Sequence, residues 1–123
     1  MCGIVGWLSF KEGKPVDPTI LIGMRDSMVH RGPDGCGLWL PPGGKLGFAF
    51  RRLAIVDLSA EANQPMHNED GTVHIVFNGE IYNHLSLRRR LEEKGHRFRT
   101  DHADTEAIIH GYEEWGEEAS IPP

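Results

Sequence analysis

Met1-Cys2-Gly3-Ile4-Val5-Gly6-Trp7-Leu8 opens the chain. Gly3 to Ser9 has the short apolar run of a buried strand. It lacks a basic flank, so it is not a signal peptide. The strand begins one residue after a cysteine that stands directly behind the initiator methionine. Removal of Met1 would leave Cys2 with a free α-amine beside its thiol. An amine with a pKa of about 7.7–8.0 lies close to a thiol at about 8.5. It can take the thiol proton directly or through a water, so one residue supplies nucleophile and base. Gly3 would let a substrate approach the backbone closely. Read alone, Cys2 is more simply a small buried residue on a first strand.

The rest of the chain reads as short elements separated by Gly and Pro clusters. Lys11 to Pro15 is a turn. Asp17-Pro18 reads as an N-cap followed by proline at the first helical position. The helix is expected from Thr19 to Val29, with Ile22, Met24 and Met28 as its apolar contacts. His30-Arg31-Gly32-Pro33-Asp34-Gly35 breaks it. Cys36 to Leu40 and Lys45 to Phe50 alternate as strands, joined by the hairpin stretch Pro41-Pro42-Gly43-Gly44. Leu53 to Leu58 is a further apolar run. Val73 to Phe77 reads as a strand and Asn83 to Lys94 as a helix ending at Gly95. Arg97 to Thr100 reads as a strand. Asp104 or Thr105 caps a last helix with Ile108, Tyr112 and Trp115 on one face, stopped by Gly116. Antiparallel-looking strands with interspersed helices point to α+β.

Composition narrows the function classes. The 123 residues carry 13 Lys+Arg against 18 Asp+Glu, a formal net charge of -5. An acidic balance argues against a general nucleic-acid binder. No apolar run approaches the roughly 18 residues of a membrane span, so no membrane partner is expected and the cytoplasm is the expected compartment. A chain of this size buries roughly two-thirds of its unfolded surface, enough for a core. Two cysteines make no disulfide framework, and Cys36 is expected to pack as a small buried residue. Arg88-Arg89-Arg90 is followed by Glu92 and Glu93, which reads as a solvated helix face.

Three other places carry chemistry. Phe77-Asn78-Gly79-Glu80-Ile81-Tyr82-Asn83 ends a strand in Asn-Gly, which presents a side-chain amide and a bare backbone N–H. Such a donor pair suits a tetrahedral oxyanion; by itself Asn-Gly is a turn. Arg51-Arg52 lies between two apolar stretches. An inward arginine would clamp a carboxylate; the plainer reading is a surface pair at a strand end. Asp104 is an N-cap, or an acid for an ammonium group if it aims away from its own helix. His96, His102 and His110, with Asp101 and Asp104, form the densest histidine group. Their spacing matches no two-histidine helical motif, so no metal site is expected.

Taken in order, these segments resemble the glutaminase domain of class II glutamine amidotransferases, closest to glutamine-hydrolysing asparagine synthase. The matching stretches are Met1-Cys2-Gly3-Ile4-Val5-Gly6, His30-Arg31-Gly32-Pro33-Asp34-Gly35 and Phe50-Arg51-Arg52-Leu53-Ala54-Ile55-Val56-Asp57. They continue through Gln64-Pro65-Met66, Phe77-Asn78-Gly79-Glu80-Ile81-Tyr82-Asn83, Gly95-His96-Arg97-Phe98 and Asp104-Thr105-Glu106.

The resemblance implies an N-terminal nucleophile hydrolase-type αββα sandwich, with residues 1–123 forming the N-terminal part of the domain. The second half of the domain and the synthetase domain would be absent from this stretch. Cys2 would be the nucleophile and its amine the base after Met1 removal. Asn78 and Gly79 would form the oxyanion hole. Arg52 would hold the substrate α-carboxylate, and Glu80 and Asp104 its α-ammonium, with backbone at Ile55 and Val56 assisting. His30 and Arg31 would order the loop near the site. Glutamine would be hydrolysed through a glutamyl thioester to supply ammonia for ATP-dependent amidation of aspartate. The implied partners are glutamine and an ammonia-accepting synthetase domain, with a homodimer of the longer enzyme also allowed. ATP and Mg would belong to that synthetase domain, with no cofactor in this segment. The alternatives are a class II amidotransferase with another acceptor, or a non-catalytic glutamine-binding remnant.

Overall fold

Asp17 starts the first helix as the sequence asks. Its side chain accepts the Thr19 N–H at 2.9 Å, and Pro18 takes the first helical position, where an N–H would have no partner anyway. The computed structural model describes residues 2–10, 12–54 and 62–120, the last two of these as backbone alone. The chain divides into two compact units.

The first unit holds β1 (Gly3–Leu8), helix α1 (Pro18–Asp26), β2 (Gly35–Trp39) and β3 (Leu46–Arg52). It also includes residues 63–65 and 76–78. The strands form an antiparallel sheet in the order β1-β3-β2. Gly3 pairs with Arg51 and Leu8 with Leu46; on the other side Gly35 pairs with Arg52 and Trp39 with Phe48. Val5, Val16, Leu21 and Ala49 form the buried core between sheet and helix, with Trp7, Met28 and Leu40 against it. Gly47 makes the close approach possible: a Cβ there would lie 2.6 Å from Leu21 Cδ2.

The second unit holds β4 (Met66–His67) paired with β5 (His74–Ile75), α2 (His84–Glu93), α3 (Thr105–Trp115) and a 3-10 turn (Gly116–Ser120). Met66, Ala103 and Ile109 form its buried cluster, with Ala62, Val73 and Ile75 packed on it. The whole is a mixed α/β chain of small antiparallel sheets and three α-helices among the described residues. None of these helices is long and apolar enough to cross a membrane.

Several expectations need correction. Helix α1 stops at Asp26, three residues short of Val29, because the Ser27 hydroxyl donates to the Met24 carbonyl at 2.6 Å and caps the turn. Its buried residue is Leu21, whereas Met24 is exposed. Cys36 is exposed, not buried: it pairs with Arg51 and so lies on the helix side of the sheet, but α1 packs on β1 and β3 and leaves this part of the edge strand β2 open. The strand expected over Val73–Phe77 shrinks to His74–Ile75, since the Phe77 N–H goes to a side chain, Gln64. Arg97–Thr100 is not a strand: its N–H groups at Arg99 and Thr100 donate to the Glu106 carboxylate at 2.6 and 2.9 Å. On α3 the interior face carries Glu106, Ile109 and His110. Tyr112 is exposed, and with Ile108 it lines a cleft beside Val73 and Ile75. Met1, Lys11 and residues 55–61, including Ile55, Val56 and most of the Leu53–Leu58 run, lie outside the described residues.

Candidate active site

The register of the first unit gathers chemistry at one end of its sheet. Gly3 pairs with Arg51, so Cys2 and Arg52 stand one step beyond the last pair, at the same end. Leu53 follows, and its peptide brackets the Cys2 thiol. The Leu53 N–H donates to Sγ at 3.3 Å, and Sγ donates to the Leu53 carbonyl at 3.6 Å. The Cys2 carbonyl receives two donors, Asn78 Nδ2 at 3.2 Å and Arg31 Nε at 3.4 Å. Residue 2 is thereby held through both its side chain and its backbone, which defines where its amine would sit once Met1 is gone.

The loop that breaks α1 is tied to the same end. The Asp34 N–H donates to the Arg52 carbonyl at 2.9 Å, and Asp34 Oδ2 accepts the Ala54 N–H at 2.8 Å. Asp34 therefore fixes the backbone on both sides of Leu53. His30 is exposed on the preceding turn. The two neighbouring arginines part company by strand alternation. Arg51 lies on the α1 face, where it donates to the Gly32 carbonyl at 2.9 Å and reaches Asp26 at 3.4 Å. Arg52 points to the opposite face and is buried, at 8% exposure. Burial thus singles out Arg52 as the inward arginine that the sequence alone left open.

In the second unit, Gly79 and Glu80 are exposed. The next residue, Ile81, donates its N–H to Asp104 Oδ2 at 2.8 Å. Asp104 sits at the N-cap position of α3 but makes no capping bond to that helix. It aims away from its own helix, the condition set for any role beyond capping. One carboxylate oxygen thereby anchors the segment that carries Glu80.

Glu106 and His110, one helical turn apart on α3, are both buried. Burial opposes ionisation of Glu106, but hydrogen bonds from His110, Thr100 and Arg99 outweigh it and hold its pKa at about 2. Burial likewise disfavours charge on His110, yet the carboxylates of Glu106, Glu69 and Glu113 raise its pKa. The Thr100 hydroxyl adds a 2.6 Å bond to Glu106. His96, His110 and Glu113 offer ligand atoms within 4.8 Å of one another, the grouping of metal-ligating types among the described residues; His102, Asp101 and Asp104 are not in it. His110 Nδ1 lies 3.1 Å from Glu113 Oε1 and His96 Nε2 lies 2.9 Å from Glu114 Oε2, so these side chains are hydrogen-bonded to carboxylates of α3.

Four residues that matter here escaped the sequence reading: Leu53, Asp34, Gln64 and Glu106. Leu53 acts through its peptide and left no side-chain signal. Asp34, Gln64 and Glu106 each stand inside the motif stretches, but only the fold shows which N–H groups they hold.

A family profile described as "Glutamine amidotransferase domain" matches residues 1–121. The glutamine-hydrolyzing asparagine synthetase 1 of Bacillus subtilis (strain 168) is 43% identical over 122 residues, covering 98% of this chain and 19% of the relative. The glutamine-hydrolyzing asparagine synthetase 1 of Arabidopsis thaliana is 42% identical over 116 residues, 94% of this chain and 19% of its own length. The glutamine-hydrolyzing asparagine synthetase of Sandersonia aurantiaca is 43% identical over 117 residues, 95% and 21% respectively. The chain spans about a fifth of the length of these curated relatives.

Proposed function

Because the chain belongs to the glutamine amidotransferase domain family, we propose that it is the glutamine-hydrolysing part of an asparagine synthetase-type enzyme. Cys2, made N-terminal by removal of Met1, gives its thiol proton to its own α-amine and attacks the side-chain amide carbon of glutamine. The carbonyl π pair becomes an oxyanion that Asn78 and the Gly79 N–H stabilise. Collapse of that intermediate breaks the C–N bond. The amine returns its proton to the leaving nitrogen, and ammonia departs. Water then attacks the glutamyl thioester, releasing glutamate and restoring the thiol.

Substrate selection follows from charge. Free glutamine carries one carboxylate and one ammonium. Arg52 would take the carboxylate in a forked pair. Glu80 and Asp104 would take the ammonium, with the backbone of Ile55 and Val56 assisting. His30 and Arg31 support the loop. The fold proposed is the N-terminal part of an αββα sandwich of the N-terminal nucleophile hydrolase type. The remaining strands and an ATP- and Mg-using synthetase domain, which would receive the ammonia and amidate aspartate, would lie in further chain. The relatives, about five times as long, support that reading. The cytoplasm is the proposed compartment, since two free thiols suit a reducing one.

The observation that carries the reading is the clamp on residue 2: the Leu53 peptide on its thiol and the Asn78 amide 3.2 Å from its carbonyl. The test is Cys2→Ala in the protein that carries this domain. Glutamine hydrolysis is expected to vanish while asparagine formation from added ammonia persists. Hydrolysis that survives the substitution contradicts the assignment.

A further inference from the structure

Asn78 is useful as an oxyanion donor only if the backbone that carries it stays in place. That backbone has left the sheet. Pairing of β5 ends at Ile75, so residues 76–78 have no strand neighbour among the described residues to hold them. A single side chain supplies the missing acceptor: Gln64 Oε1 takes the Phe77 N–H at 2.6 Å. Phe77 is the residue directly before Asn78, so this bond sets the peptide from which the Asn78 side chain departs.

Gln64 is itself fixed. It is buried, at 7% exposure. Its carbonyl crosses β2 at Gly37 so closely that a Cβ on residue 37 would collide with it, and Pro65 Cδ lies 3.0 Å from the same point. The adjacent Asn63 donates from Nδ2 to the Cys36 carbonyl at 2.8 Å. Residues 63–65 are therefore seated on β2 beside two consecutive residues, Cys36 and Gly37. A line of contacts runs from the sheet of the first unit through Gln64 and Phe77 to Asn78, and from its amide to the Cys2 carbonyl. All of these residues belong to the first unit.

We propose that Gln64 is a positioning residue for the oxyanion donor: its side-chain carbonyl holds the Phe77 N–H and so fixes the Asn78 amide over Cys2. The inference rests on the reading of Asn78 as that donor. Displacing a catalytic group by about 1 Å costs on the order of 100-fold in rate, so loss of this one bond would register in turnover rather than in glutamine binding.

The test uses the protein that carries this domain, with Gln64→Met, which keeps the length and removes the oxygen acceptor, and Gln64→Glu, which keeps an oxygen acceptor. Gln64→Met is expected to lower kcat for glutamine hydrolysis by about 10- to 100-fold, with KM for glutamine within about twofold. Alkylation of Cys2 by iodoacetamide, a displacement at carbon that forms no oxyanion, is expected to keep its wild-type rate. Gln64→Glu is expected to recover most of the lost kcat. An unchanged kcat in Gln64→Met overturns the proposal. So does a fall in kcat matched by an equal fall in alkylation, which would mark general loss of structure. If Gln64→Met does not fold, Gln64→Glu alone decides: kcat within tenfold of wild type supports the proposal, and a larger loss in a folded protein overturns it. Asn78→Ala is run alongside. If it leaves hydrolysis intact, the oxyanion reading of Asn78 fails, an outcome separate from a silent Gln64.

Discussion

Asp104 bonds the backbone of Ile81 at 2.8 Å instead of the helix it heads. Its φ of -67° and ψ of -30° are helical, whereas a capping residue is usually extended and turns its side chain back onto its own first turn. The carboxylate is thus spent on the segment that follows Gly79 and Glu80. We expect Asp104→Ala to raise KM for glutamine clearly while lowering the unfolding free energy by less than the roughly 1 kcal/mol lost with an ordinary N-cap. Steady-state kinetics and thermal unfolding on the same variant check both parts. A full N-cap loss with unchanged KM would return Asp104 to a purely helical role.

Asn78 should act on turnover. Removal of one oxyanion donor lowers kcat by about 10²–10³-fold. We expect Asn78→Ala to show that loss with KM for glutamine little changed, because the proposed holders of the substrate charges are Arg52, Glu80 and Asp104. A change confined to KM would make Asn78 a binding residue.

Arg52 and Arg51 should behave oppositely, since alternation places them on opposite faces of β3. A charge-assisted hydrogen bond contributes about 1.5–3 kcal/mol, so loss of the Arg52 fork should raise KM for glutamine by about 10- to 100-fold. Arg52→Lys keeps the charge and loses the planar fork, which limits damage to the fold. Arg51→Lys, tied to Gly32 and Asp26, is expected to leave KM unchanged. Equal effects of the two substitutions would remove the clamp assignment.

Stability of the second unit should peak in mildly acidic solution. The pKa of Glu106 is depressed from 4.5 to about 2, so its contribution is present above 4.5 and is lost as pH falls toward 2. His110, facing Glu106, Glu69 and Glu113 with His96 beside it, has a pKa raised above 6.5. Its contribution is complete below 6.5 and is lost as pH climbs through the raised value. The urea midpoint, read from Trp115 after Trp7→Phe and Trp39→Phe, is therefore expected to be highest between about 4.5 and 6.5. Glu106→Gln should flatten the profile. A midpoint that is the same at acidic and neutral pH in the parent protein would contradict the pairing.

Local chemistry made part of the fold readable and left the rest out of reach. Asp17-Pro18 and Pro41-Pro42-Gly43-Gly44 announced α1 and the β2–β3 hairpin because capping and turn geometry depend on a few adjacent residues. Arg97–Thr100 misled because its N–H groups are satisfied by Glu106, a side chain on the following helix. The interior face of α3 misled for a related reason: apolar spacing pointed to Ile108, Tyr112 and Trp115, but a satisfied Glu106–His110 pair takes the interior. Cys36 shows a third limit, since alternation assigns it to the helix side of β2 without saying that α1 packs on β1 and β3 instead. Among the candidate residues, Cys2, Arg52, Asn78 and Asp104 were legible as residue types. The Leu53 peptide on the thiol, the Asp34 bond to Ala54 and the Gln64 bond to Phe77 were not, because each is a side-chain–backbone contact made across at least thirteen residues of chain.

The most direct test of Cys2 as an N-terminal nucleophile is intact-mass spectrometry of the purified chain before and after a diazo-ketone analogue of glutamine. We expect a mass lacking Met1 and a single adduct on Cys2, suppressed by excess glutamine, with the exposed Cys36 unlabelled. Retained Met1 in a chain that still hydrolyses glutamine, or an adduct on Cys36 alone, would contradict the assignment.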